Sequence, residues 1–285
     1  MPRVSAARAR VNKPKLGQHF LVDESAAQRI VDALGDVSQR TVLEIGPGRG
    51  ILTALLAARA RRVIAVELDK VLAAQLRMNL GAENVEIIEG DILAVDFQTL
   101  FGPKPGSTRP GMNNTPQPVH VVGNLPYFIT SDILLRLFAE RRFFDNMVLM
   151  VQREVAERLV AAPGGRDYGL LSATAQLYSR VENLMTLPPD AFSPPPKVHS
   201  AVVRCEISPK VESLGVPEAE FIKFLKLSFG QKRKTIWNNL KAQYSPGALK
   251  AALTKAGVKT TARAETLSLE KSSALFRALR DGHGP

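Results

Sequence analysis

The segment Glu44-Ile45-Gly46-Pro47-Gly48-Arg49-Gly50 constrains the fold of this chain more than any other stretch. It joins a short apolar run, Thr41–Ile45, to a helical pattern over residues 51–60. Glycines let the backbone turn tightly and approach a ligand with no side chain in between. Downstream, apolar runs over 62–67, 85–88, 119–122 and 147–151 read as strands, with a helix over 70–80. These runs are continuously apolar, the pattern of strands buried on both faces. Strands separated by helices predict an α/β fold, a parallel sheet between two helical layers. A glycine-rich turn at the carboxyl edge of such a sheet is where nucleotides bind.

Two acids extend this site. Glu67 ends the second strand, close to the spacing of an acid that accepts ribose hydroxyls. Asp91, in Gly90-Asp91-Ile92-Leu93, follows the third strand and offers a carboxylate to the amino hydrogens of an adenine. Either alone could be a solvated acid; with the glycine turn they predict an adenosine-containing cofactor. The spacing Gly46-x-Gly48-x-Gly50 departs from the G-x-G-x-x-G dinucleotide fingerprint, and Glu44 stands just ahead of it. A carboxylate there repels a pyrophosphate and suits the sulfonium and ammonium of S-adenosylmethionine. The expected cofactor is therefore S-adenosylmethionine, held by Glu44, Gly46, Gly48, Glu67 and Asp91. A nicotinamide-dependent oxidoreductase is the rejected alternative.

Asn124-Leu125-Pro126-Tyr127 follows the fourth strand directly. An adenine amine is a poor nucleophile because its lone pair is delocalised into the ring. Two acceptors holding its two hydrogens favour a pyramidal nitrogen with an available lone pair. The Asn124 side-chain oxygen supplies one acceptor, and the backbone carbonyl of Leu125 or Pro126 the other. Tyr127 is placed to stack on a base that has left its helix. Positioning then does most of the catalysis, with no obligatory general base. Without the cofactor motifs upstream, the same residues would read as a turn closing a strand.

The rest of the chain divides by composition. Residues 102–118 hold five prolines and three glycines and read as a long surface loop. The stretches Leu187-Pro-Pro-Asp190 and Phe192-Ser-Pro-Pro-Pro-Lys197 read as a stiff connector before a last strand over 199–207. Beyond Ser208, helical periodicity over 218–229, 232–242, 246–256 and 268–279 predicts a small all-helical domain. The expected organisation is a basic, flexible segment over 1–15, a cofactor-binding domain over 16–208 and a helical domain over 209–285. Five cations, Arg3 to Lys15, precede the first acid, and Lys232-Arg233-Lys234 forms a second basic cluster within a net charge of +11. Such an excess attracts polyanions through counterion release. Cys205 is the single cysteine, which excludes a disulfide framework, and the four histidines have no zinc spacing. No apolar run approaches the roughly 20 residues that span a bilayer. The Ser/Ala-rich start has some transit-peptide character, but Leu16-Gly17-Gln18 follows too soon for a long presequence. The expectation is a cytoplasmic monomer without a metal.

These motifs, in this order, resemble the bacterial small-subunit (16S) ribosomal RNA adenine N6,N6-dimethyltransferases of the kasugamycin-sensitivity type. The resemblance runs from about Lys15 to Leu279. It also covers Leu16-Gly-Gln-His-Phe-Leu21, Gln152-Arg-Glu-Val-Ala-Glu-Arg-Leu159, Asp167-Tyr-Gly169, Phe192-Ser-Pro-Pro-Pro-Lys-Val198 and Phe229-Gly-Gln-Lys-Arg-Lys-Thr235. It implies a Rossmann-like class I methyltransferase sheet with a C-terminal helical domain, acting on two adjacent adenines of small-subunit rRNA within a pre-30S or 30S particle. A role in late subunit assembly is implied too. It adds His19 and Leu21, in a block that closes over the cofactor, and Asn124 as a cofactor contact. His19 stands where asparagine is common. Phe192 matches an aromatic that clamps the target base, and Lys197, Lys232, Arg233 and Lys234 match the rRNA-gripping parts. Phe128 stands where asparagine is frequent. The sister family, the large-subunit rRNA adenine methyltransferases of macrolide resistance, more often has isoleucine at the position of Leu125 and differs in its C-terminal blocks. A non-catalytic assembly factor on the same fold is the other alternative; intact Glu67, Asp91 and Asn124–Tyr127 speak against it.

Overall fold

The computed structural model of the protein describes residues 18–102 and 118–282. The basic segment over 1–15, Leu16, Gly17 and nearly all of the loop expected over 102–118 lie outside the described residues. A seven-stranded sheet forms the centre. Its strands are β1 (Thr41–Ile45), β2 (Arg62–Glu67), β3 (Val85–Glu89), β4 (Val119–Asn124), β5 (Phe144–Gln152), β6 (Ser179–Leu187) and β7 (Ser200–Ile207). The spatial order is β3-β2-β1-β4-β5-β7-β6. β1 to β5 run parallel, while β7 is antiparallel to both its neighbours, β5 and β6. β1 has β2 on one side and β4 on the other, so the chain reverses its direction of travel across the sheet at that point. The crevice beyond the carboxyl ends of β1 and β4 is thus a topological switch point.

The pleat explains why the central strands are mostly apolar. Val42, Val63, Val122 and Val148 face one layer, packed on helix α1 (Glu24–Asp32) and helix α2 (Ile51–Ala57) through Ile30, Leu52 and Leu56. Their neighbours Leu43, Ile64, Val121 and Leu149 face the other layer. Successive side chains point to opposite faces, so burial of both faces favours apolar residues along the central strands, with Glu44, Glu67 and His120 as buried exceptions. Helix α3 (Lys70–Leu80) and the short α4 (Phe97–Phe101) follow β2 and β3. Helices α5 (Thr130–Ala139), α6 (Arg153–Val160) and α7 (Leu170–Tyr178) complete the cover.

The C-terminal part folds as α8 (Glu218–Ser228), α9 (Ile236–Leu240), α10 (Pro246–Lys255) and α11 (Leu269–Asp281). Phe221, Phe224 and Phe276 pack as three rings with centroids 5.5–6.1 Å apart. Their cluster is continuous with the sheet face that carries Leu43 and Leu149. At the junction, Glu218 accepts from Arg141 at 2.5 Å and from the Tyr178 hydroxyl at 2.9 Å, and the Arg141 guanidinium lies 4.1 Å from the Tyr178 ring centre.

Two local expectations change. The helix expected from Lys232 starts only at Ile236, because the Thr235 hydroxyl caps it by accepting from the Asn238 amide. Lys232, Arg233 and Lys234 therefore sit in an exposed turn. The edge strand β6 is absent from the sequence reading. Its register shifts between Asn183 and Met185, which breaks the alternation that would mark a strand.

Candidate active site

The turn after β1 is built on glycines that no other residue replaces. Gly46 and Gly48 have φ of 65° and 58°, in the left-handed region. A Cβ on Gly48 would meet Phe20 Cδ1 at 2.8 Å. The Gly48 amide donates to Glu67 Oε2 at 3.0 Å, and the Asp69 amide to Glu67 Oε1 at 2.9 Å. Glu67, only 3% exposed, is thereby fixed at the end of β2 with lone pairs left on both oxygens. Asp91 accepts the Leu93 amide on Oδ1 at 2.9 Å, which leaves Oδ2 without a donor among the described residues. Arg136 on α5 donates to the Leu93 and Val95 carbonyls and so ties the Asp91 loop to the scaffold.

These groups share one cleft with the segment after β4. It holds about 810 Å³ of free space, part of it continuous with solvent, and is lined by residues 18–20, 66–68, 90–92 and 124–129 with Ile45, Gly46 and Gly48. A narrower extension reaches Glu44, Arg49 and Leu21 past Gly46, Gly48 and Asn124. Glu44 is 1% exposed, and its Oε2 has no hydrogen-bond partner. Burial, with the nearby charge of Glu67, pushes its carboxyl up to about 8, although Thr53 acts in the opposite direction. A buried carboxyl with one oxygen left without a partner among the described residues, beside a glycine turn, suits a cationic ligand that would displace its proton.

Asn124 donates through Nδ2 to the His19 carbonyl at 2.7 Å. The carbonyl can only accept, so the amide orientation is set, and Oδ1 is left without a donor among the described residues. Pro126 O already accepts from Thr130 Oγ1 at 2.9 Å and from the Ile129 amide at 3.2 Å. The Leu125 carbonyl has no donor among the described residues, while its amide donates to Met150 O at 3.0 Å. Of the two carbonyls left open by the sequence, Leu125 is thus the one with lone pairs to spare. The Tyr127 hydroxyl pairs with Ser200 Oγ, and burial holds the phenol above its usual pKa. Phe128 lines the cleft and is 66% exposed.

His19 links three pieces of the site. Its carbonyl holds Asn124, its Nδ1–H donates to Pro194 O at 2.7 Å, and its ring stacks on Tyr127 with centroids 5.8 Å apart. The short strand Phe20–Leu21 pairs with Phe192–Ser193, so the N-terminal block and the proline connector close the cleft together. Phe192 requires a correction. It is 2% exposed, packs in the α1-side core with Leu21, and does not line the cleft. Its pairing opposite Leu21 sends the ring inward, so in this conformation it is not a wall for a base. Lys197 is exposed on the same connector, and Lys232, Arg233 and Lys234 are exposed far along the chain in the α8–α9 turn. None of these four has an ion pair among the described residues. Sequence reasoning missed Phe20, whose ring carries the Arg49 guanidinium 4.7 Å from its centre; it lay in the block 16–21 without a chemical signature.

The comparisons with known proteins bear on this arrangement. The profile of the family described as Ribosomal RNA adenine dimethylase matches residues 9–281. The chain belongs to this family. Among its members, the Ribosomal RNA small subunit methyltransferase A of Koribacter versatilis is 53% identical, over 99% of this chain and 100% of its own length. The protein of the same name from Acidobacterium capsulatum is 52% identical, over 98% and 95%. In structure, the 23S rRNA methyltransferase ErmE is similar with a TM-score of 0.65 and 28% identity, over 92% of this chain and 99% of that one. A dimethyladenosine transferase from Plasmodium falciparum has a TM-score of 0.73 at 24% identity, over 93% and 98%, a likeness of fold. The family's Rossmann-like class I methyltransferase sheet is the architecture described above, with β7 antiparallel.

Proposed function

We infer that this protein dimethylates the N6 amines of two adjacent adenines near the 3′ end of 16S rRNA in the small ribosomal subunit, with S-adenosylmethionine as donor. One observation carries the mechanism: Asn124 Oδ1 and the Leu125 carbonyl have no donor among the described residues, and both residues line a cleft that also holds Gly46, Gly48, Glu67 and Asp91. The donor supplies an electrophilic methyl on a sulfonium. Glu67 is suited to accept the ribose hydroxyls, Asp91 Oδ2 an adenine amino hydrogen, and Glu44 lies in the extension where an ammonium is favourable. The Gly46–Gly48 turn, with both residues at positive φ, brings bare backbone to the cleft wall. His19 and Leu21 border the donor from the N-terminal block. In the first transfer Asn124 Oδ1 and Leu125 O hold the two hydrogens of the target amine, and in the second they share the one that remains. Each time the amine's N–C bond forms as the sulfonium C–S bond breaks, and the amine's proton passes to water. Pro126 keeps that segment rigid, and Tyr127 offers its ring to the base. Phe192 belongs to this set only if the connector rearranges around the RNA. Lys197, Lys232, Arg233 and Lys234 supply cations to phosphates.

The fold is shared with a large-subunit methyltransferase, so architecture does not choose the substrate. Identity above 50% over the full length to small-subunit methyltransferases supports the small subunit. No helix among the described residues is long and apolar enough to cross a membrane. The protein is read as a cytoplasmic monomer that meets a pre-30S or 30S particle late in assembly. The test is to supply labelled S-adenosylmethionine with undermodified small or large subunits. Label is expected in two adjacent adenines of small-subunit rRNA; label confined to the large subunit would overturn the reading. Asn124→Ala should lower the methylation rate by about 10²-fold, the usual cost of losing one electrostatic contact in a transition state, while subunit binding persists.

A further inference from the structure

We propose that Phe128 is a stacking platform for the nucleotide beside the target adenine. The inference rests on the reading of the cleft as an RNA-methylating site. Phe128 is 66% exposed, whereas each of the other phenylalanines is buried or half-buried. It stands next to Tyr127 in the chain and lines the same cleft. No ring contact engages it among the described residues, although Tyr127 has His19. A single exposed phenylalanine is unremarkable on a surface, but at the mouth of a substrate cleft it is an anchor in waiting.

Its backbone is held in advance. Pro126 fixes the entry to the turn, and Pro126 O accepts the Ile129 amide and the Thr130 hydroxyl on the far side of Phe128. A platform fixed before binding loses little entropy when a ring settles on it. Position chooses the occupant. The groups suited to the donor lie on the turns after β1, β2 and β3, while Phe128 continues the segment that holds the target amine. A flanking nucleotide must leave the cleft at its open side, where Phe128 is exposed. Lys197, exposed and without an ion pair among the described residues, lies three residues before Ser200, the partner of Tyr127, and offers a cation to the same RNA strand. With two neighbouring adenines as substrate, the one waiting would rest on Phe128 while the other occupies the site.

The experiment compares Phe128→Ala and Phe128→Tyr with the wild type on undermodified small subunits. KM for the subunit, kcat and the fraction of rRNA methylated on only one of the two adenines are measured, with S-adenosylhomocysteine affinity by calorimetry. Phe128→Ala should raise KM about tenfold, within the range of one lost base–aromatic stack, and accumulate RNA methylated on a single adenine. Its S-adenosylhomocysteine affinity should stay within about twofold, and Phe128→Tyr should restore both KM and product pattern because stacking tolerates any aromatic ring. Wild-type KM and products in Phe128→Ala would overturn the proposal. A parallel loss of S-adenosylhomocysteine affinity would also overturn it, by assigning the ring to the donor. Failure of the wild type itself on small subunits would instead refute the underlying function, and the proposal with it.

Discussion

Glu44 carries a proton-linked role that its surroundings force on it. It is buried, its Oε2 has no partner, and its carboxyl titrates near 8. Its pKa is raised above the unfolded 4.5, so the free protein loses stability as pH rises through the interval from 4.5 to about 8. A bound cation favours the carboxylate and reverses that trend. Donor binding below pH 8 should therefore release a proton, and affinity should rise with pH until Glu44 is ionised. Calorimetry in buffers of different ionisation enthalpy measures the proton count. Glu44→Gln should abolish the release, weaken donor binding and raise the thermal midpoint of the free protein at pH 8. Cys205 gives a contrasting residue-scale case. Burial pushes its thiol up to about 12, so it should resist thiol reagents until the protein unfolds.

At the scale of elements, the site is a set of strand ends joined by short, internally bonded turns. The turn after β1 is the most demanding of them. Gly48→Ala combines a positive φ with a Cβ 2.8 Å from the Phe20 ring, so the substitution should displace the block at 18–21 as well as strain the turn. The expected result is a loss of about 1–3 kcal/mol in stability and a larger loss of S-adenosylhomocysteine affinity, measured by denaturant titration and calorimetry. The turns after β1 and β4 were legible in the sequence because local residue types specify them, Gly46 and Gly48 for φ and Pro126 for rigidity, whereas the Thr235 cap was passed over and the helix after it read as starting at Lys232. The pairing of Phe20–Leu21 with Phe192–Ser193 was not, since residues 20 and 192 are brought together only by the sheet between them. For that reason the family-implied base wall at Phe192 and the observed buried ring diverge.

In the whole molecule, a half-buried bridge and a buried histidine should control cohesion. Glu218 bridges Arg141 and Tyr178 where α8 meets the sheet layer. Glu218→Ala leaves a phenol and a guanidinium without their acceptor and should cost about 2 kcal/mol, read as a lower unfolding midpoint in denaturant. Because one apolar cluster runs from the sheet into the helical part, both should unfold together in that experiment. His120, at the opposite end of β4 from Asn124, is 7% exposed and faces Asp145 and Arg40. Burial holds its pKa below 6.5, partly offset by Asp145, while Arg40 acts with the burial. The stability it contributes is present above pH 6.5 and is lost as pH falls through the lower folded value. His120→Asn should flatten the dependence of the thermal midpoint on pH in that acidic range.

The sequence by itself determined the α/β class, the parallel strands, the glycine turn and the place of Glu44, Glu67, Asp91 and Asn124 to Tyr127 at successive strand ends. Periodicity, backbone freedom and side-chain type are local properties that a chain displays before it folds. Only the tertiary structure decided which atoms remain free for a ligand. The His19 carbonyl occupies Asn124 Nδ2, and Thr130 and Ile129 occupy Pro126 O, which singles out Asn124 Oδ1 and Leu125 O. It also turned Phe192 inward and left Phe128 bare. Hydrogen-bond partners and burial arise between residues distant in the chain, and sequence spacing alone does not report them.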